Sequence, residues 1–130
     1  MNILVNEIRR AAAVKSISLK QLDLINTEVF WNVLQKKYNL KMDGQIWCQI
    51  DFTLNSYDPE GWRKAPNYIQ DWPAVMFFDP YKNAPIYEFA NKDDVLSLLE
   101  ESFHFVFYLA SFDLSKLVVF DDHECIRAIS

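Results

Sequence analysis

Asp121-Asp122-His123-Glu124-Cys125 is the densest group of chemically able side chains in this sequence. Carboxylate, imidazole and thiolate are all metal-ligand types, and His104 on a neighbouring predicted strand could join them. A small metal-dependent hydrolase using His104, His123 and the flanking carboxylates is therefore one reading. Its spacing is poor, because adjacent residues diverge and neither H-x-x-x-H nor C-x-x-C supports a ligand scaffold. Cys125 beside His123 or His104 could serve as a thiol nucleophile, but no third group orients the pair. The plainer reading is a turn in which Asp121 and Asp122 accept backbone hydrogen bonds and His123 is half exposed. The two glycines, Gly44 and Gly61, stand alone. A phosphate-cradling loop needs several residues that let backbone N–H groups approach an anion, so nucleotide-binding fingerprints are excluded. The expectation is a protein that is not an enzyme, with no catalytic residue, no metal and no cofactor.

A second group can bind without catalysing. Tyr57, Asp58, Glu60, Trp62 and Asp71 interleave aromatics with carboxylates, and Asp121, Asp122 and Glu124 extend the acidic set. Large aromatics ringed by charge are usual anchors of protein interfaces, although Trp62 could equally plug the edge of the core. Residues 1–42 hold seven Lys/Arg against three Asp/Glu, and residues 43–130 hold six against fifteen, so the parts carry +4 and −9 within a net −5. An acidic surface repels nucleic acid and steers basic partners.

The elements that must position these groups read as one α+β domain, residues 1–130. Leu4, Ile8, Ala11 and Ala12 recur at helical spacing. A second helix starts either at Ser18, with Gln21 three residues on, or at Asn26-Thr27-Glu28 after an extended Ile17 to Ile25. Leu22, Ile25, Val29, Phe30, Val33 and Leu34 form its apolar stripe, and Lys36-Lys37 with Gly44 mark its end. Ile46, Cys48, Ile50 and Phe52 alternate with polar or large residues as in a half-buried strand. Asn55 to Pro73, with three prolines and one glycine, reads as a structured loop. Two-sided apolar strands follow at Ala74–Phe78, Ile86–Phe89, Phe105–Leu109 and Leu117–Phe120, with an Asn91-capped helix over Asp93 to Ser102. Val95, Leu98, Leu99 and Phe103 of that helix should face a sheet containing Val75, Phe77, Phe105, Phe107, Leu117 and Val119. Together these predict N-terminal helices and a mainly antiparallel sheet of about four to six strands, one helix (about 93–102) crossing one face.

No early apolar run has the length of a secretory signal, and no stretch approaches the ~18 apolar residues of a membrane span. The expectation is a cytoplasmic protein with no membrane contact, in which Cys48 and Cys125 are reduced and mostly buried.

Val75-Met76-Phe77-Phe78-Asp79, Ile86-Tyr87-Glu88-Phe89, Phe105-Val106-Phe107-Tyr108-Leu109 and Val119-Phe120-Asp121-Asp122-His123-Glu124 occur in an order that resembles small bacterial immunity proteins of polymorphic toxin and contact-dependent growth inhibition systems. The resemblance covers the C-terminal half. Phe107-Tyr108-Leu109-Ala110 stands where those proteins carry an "FYLT"-type strand, and Asp121-Asp122-His123-Glu124 where they carry an acidic, histidine-bearing turn. It implies an immunity protein that binds and neutralises a cognate toxin domain, commonly a nuclease, in a one-to-one complex without touching nucleic acid itself. Inhibition of this kind, at the active site or an exosite, needs aromatic anchors and complementary charge rather than catalytic groups.

Overall fold

The computed structural model describes Asn2 to Ile129. Among these residues one seven-stranded antiparallel sheet runs in the order β1-β4-β3-β5-β6-β7-β2, with β1 Lys20–Gln21, β2 Leu54–Tyr57, β3 Ala74–Phe77, β4 Tyr87–Phe89, β5 Phe107–Ala110, β6 Leu117–Phe120 and β7 Cys125–Ile129. The α+β class and the antiparallel sheet are as expected. The strand count exceeds the expected four to six because β1, β2 and β7 were not among the strands read from the sequence, β1 and β2 being short and largely exposed and β7 lying directly after the acidic turn.

Side chains alternate across the sheet and divide the core in two. Met76, Phe107, Leu109, Val118 and Phe120 face α1 (Ile3–Val14), α3 (Gly61–Lys64) and α4 (Lys92–Glu101). Val75, Phe77, Tyr108, Leu117 and Val119 face α2 (Leu24–Tyr38) and the irregular segment after it. The result is a three-layer arrangement. It corrects the expected packing, because the helix bearing Val95, Leu98 and Leu99 covers Phe107 but not Val75, Phe77, Leu117 or Val119. Phe103 lies beyond the end of α4 and is 48% exposed instead of facing the sheet. Phe105 precedes β5 and packs against the core from the loop.

Local chemistry explains the remaining boundaries. Asp23 caps α2 by accepting from the Asn26 N–H at 2.7 Å, so the helix begins between the two starts the sequence offered. Ile46 to Phe52 is not a strand. It contains a 3-10 turn at Trp47–Gln49, and side chains from elsewhere supply hydrogen bonds that a neighbouring strand would otherwise supply. Asp79 Oδ1 accepts from the Ile46 N–H at 2.9 Å, and the Tyr108 hydroxyl accepts from the Trp47 N–H at 3.0 Å. The turn also places Cys48 on the surface, while Cys125 is only partly buried, so neither thiol is the buried one expected. The stretch read as a loop from Asn55 instead contributes most of β2, paired with β7, and then α3. No helix among the described residues is long and apolar enough to cross a membrane.

Candidate protein-binding site at one end of the sheet

The hairpin joining β6 to β7 is organised by one carboxylate. Asp121 is 2% exposed. Its Oδ1 accepts from the N–H groups of His123 (2.9 Å) and Cys125 (3.1 Å), and its Oδ2 accepts from Arg127 Nε at 2.7 Å. The Arg127 fork continues to Asn55 Oδ1 at 2.7 Å, tying the turn to β2, and its guanidinium lies 4.7 Å from the centre of the Trp47 ring. Glu124 completes the turn in the left-handed region at φ 57°. Asp121 is thus a support, and the side chains it holds outward are Asp122, His123 and Glu124, all exposed.

Next to this turn, Tyr57 ends β2 opposite Cys125 with 68% of its surface exposed. The Asp58 N–H donates to the Glu124 carbonyl at 2.9 Å, which fixes the start of the Asp58 loop against the acidic turn. Asp58 also pairs with Lys64, and that hydrogen bond, followed by the Glu60 N–H, holds its carboxyl below the usual range. Glu60 is exposed and pairs with Arg63 at 3.4 Å. Trp62 is a core residue, 9% exposed, with Arg63 stacked on its ring at 4.5 Å and His104 meeting it edge-on at 5.9 Å. Its place is the edge of the core, the second of the two roles open to it, which leaves little of the indole for a partner. Asp71 lies at the opposite end of the sheet, beside Trp72, Ser111 and Asp113, so it does not join the other acidic residues.

Between the turn and the segment before β5 runs an open groove of about 600 Å³. Phe105, Val106 and Phe120 form its apolar floor, Asp122 and Glu124 an acidic wall, and Lys82 and His104 complete the rim. This floor escaped the sequence reading, since Phe105 and Val106 looked like two-sided strand residues. The Asp121–Arg127 clamp also escaped it, although a hairpin centred on the turn would have paired Val119 with Arg127 and shown the arginine near the aspartate.

Among the described residues no three His, Cys, Asp or Glu side chains converge as a metal site. His123 Nε2 stands 3.8 Å from Asp122 Oδ1, and the Cys125 thiol donates to the His123 carbonyl, not its ring. An apolar floor with a carboxylate wall suits a side chain that combines an aliphatic stem with a cationic head. No family model, curated protein or solved structure matches this chain.

Proposed function

We propose that this chain is an immunity-type protein that binds a cognate toxin domain, a basic nuclease by the chemistry of the surface, in a one-to-one complex in the cytoplasm, and inhibits it without catalysis. The observation that carries the reading is the groove bounded by Asp122 and Glu124 and floored by Phe105, Val106 and Phe120, with Tyr57 exposed beside the same turn. Such a surface fits the lysines and arginines that a nuclease presents around its substrate groove. The order of strand and turn motifs in the C-terminal half, which resembles immunity proteins, supports the same reading. The partner-facing residues are Tyr57, Asp122 and Glu124, with Asp58 and Glu60 at the rim. Asp121 and Trp62 hold the surface in place from beneath.

Co-expression with the toxin domain encoded in the adjacent reading frame tests this. Cells carrying the intact protein should survive induction, and the double variant Asp122→Lys, Glu124→Lys should lose protection while retaining its circular dichroism spectrum. Equal killing with and without the intact protein would sink the reading. Survival that is unaffected by the double variant would move the binding site away from the groove.

A further inference from the structure

We infer that the free edge of β2 takes up an extended strand of a protein partner, one that carries lysine or arginine. β2 is the last strand in the sheet order. The Asp58 N–H donates to the Glu124 carbonyl at 2.9 Å, which fixes the phase of the ladder between β2 and β7. Bonded and non-bonded pairs alternate in an antiparallel ladder, so Leu54 and Ser56 direct their backbone groups at β7, while Asn55 and Tyr57 direct theirs away from it. Among the described residues no group bonds to the outward N–H or carbonyl of Asn55 or Tyr57. Two donors and two acceptors therefore stand open on exposed residues. Such an edge templates strand pairing unless it is very short, charged or interrupted by proline. β1, at the opposite edge, has only two residues, one of them Lys20. β2 has four, Leu54-Asn55-Ser56-Tyr57, with neither lysine nor proline among them.

Open backbone groups call for an extended segment, and charge selects which. The cations near the Tyr57 end of the edge are engaged: Lys64 with Asp58, Arg63 with Glu60 and Glu100, and Arg127 with Asp121. Lys41, in the loop before Trp47, is offset by Asp43 two residues on. Lys82 stands on the far rim of the groove and follows β3, four places from β2 in the sheet. Asp122 and Glu124 are left exposed, Asp122 meeting only the Gln45 amide at 3.3 Å and the His123 ring at 3.8 Å. A second copy of this chain supplies no match. Its own edge, Asp51 to Asp58, holds no Lys or Arg and is acidic at both ends, and its Lys20 is held by Glu88 at 3.0 Å. A partner strand that alternates basic with apolar residues fits instead. Its backbone meets Asn55 and Tyr57, an apolar side chain packs on the exposed Tyr57 ring, and a lysine or arginine reaches Asp122 and Glu124. Only the identity of that partner rests on the toxin-binding reading.

The probe is the peptide acetyl-Lys-Val-Lys-Val-Lys-Val-amide, titrated to millimolar concentration into the isotope-labelled full chain and followed by amide chemical shifts. The Asn55 and Tyr57 signals should move furthest, and the same peptide with Glu in place of Lys should leave them unmoved. Tyr57→Pro removes one outward donor at an edge position that tolerates proline, whereas Tyr57→Ala keeps it. With unchanged circular dichroism spectra, Tyr57→Pro should bind the peptide about tenfold more weakly than Tyr57→Ala. Asp122→Lys with Glu124→Lys should remove the preference for the basic peptide. Peptide binding without protection in the toxin co-expression assay would change the partner and keep the edge. Unmoved Asn55 and Tyr57 signals, an equal response to the Glu peptide, or equal binding by the two Tyr57 variants would overturn the inference. So would the same shifts on raising the protein concentration alone, which would make the occupant a second copy.

Discussion

Asp79 and Asp121 are the two carboxylates buried among the described residues, and they have different partners. Asp121 faces an arginine, whereas Asp79 faces neutral donors, the Ile46 N–H and the Tyr108 hydroxyl at 2.7 Å, both on Oδ1. Burial raises the pKa of Asp79 above the ordinary 3.8, only partly offset by those two hydrogen bonds. The native state then retains a proton that the unfolded chain has released, so this group makes stability fall as pH rises through the interval just above 3.8. Glu7, lowered to about 2 chiefly by its hydrogen bonds to Arg10, and Asp113, lowered to about 2 chiefly by the Ser115 N–H, act in the opposite sense. Their contribution is present above the ordinary carboxylate range and is lost as pH falls toward 2. In a pH series of urea melts, Asp79→Asn should remove the decline above 3.8 and leave the acid limb intact. An Asn Oδ1 can accept from both donors, so its stability at neutral pH should match or exceed wild type. Asp79→Ala strands both donors and should cost about 1–3 kcal/mol for each. Parallel pH profiles for wild type and Asp79→Asn would show that burial does not shift this carboxyl.

At the scale of elements, β5 is the spine of the fold. It lies between β3 and β6, and its two faces serve different layers, with Phe107 and Leu109 toward α1 and α4 and Tyr108 toward α2. Tyr108 stacks on Phe77 at a centroid distance of 4.8 Å. Phe107 is 1% exposed, so Phe107→Ala should cost about 3–5 kcal/mol in a urea or thermal melt. A loss below about 1 kcal/mol would show that this layer repacks. The contact of α3 with the sheet depends on a missing side chain: a Cβ at Gly61 would come within 3.2 Å of Phe120 Cε1 and 3.3 Å of Ile126 Cβ. Gly61→Val should therefore destabilise by about 1–3 kcal/mol through overpacking, and it should also disturb the groove, whose floor includes Phe120.

Across the whole molecule, the exposed carboxylates Asp122 and Glu124, with Asp58 and Glu60 beside them, mark the end of the sheet that holds the Asp121 turn, while Ile25, Val29 and Val33 are exposed on α2. Steering by the acidic end is long-ranged and screened over about 8 Å at physiological ionic strength. Association with the proposed basic toxin domain should therefore slow as salt rises, whereas Tyr57→Ala should act on dissociation, a division that stopped-flow binding would resolve. Salt-independent association would remove the acidic wall from the encounter.

The sequence by itself determined the α+β class, α1, α4 and the central strands, because their apolar periodicity and caps are local signals that the fold did not override. It also located the acidic turn, since clustered carboxylates that follow an apolar strand are turn chemistry in any context. The tertiary structure alone decided which acidic residues share a surface. Asp58 and Glu124 meet because β2 pairs with β7, and Asp71 is excluded because it enters β3 at the other end. It also decided burial where the local pattern was ambiguous. Ile46 to Phe52 alternates like a strand, but Asp79 and Tyr108 satisfy two of its N–H groups and bend it into a turn. Ile25, Val29 and Val33 continue the apolar stripe of α2, yet only Phe30 and Leu34 reach the sheet. A helix apolar on two sides has more than one face to bury, and the single face this sheet can cover is set by contacts distant in sequence, with Phe77 and Tyr108 among them.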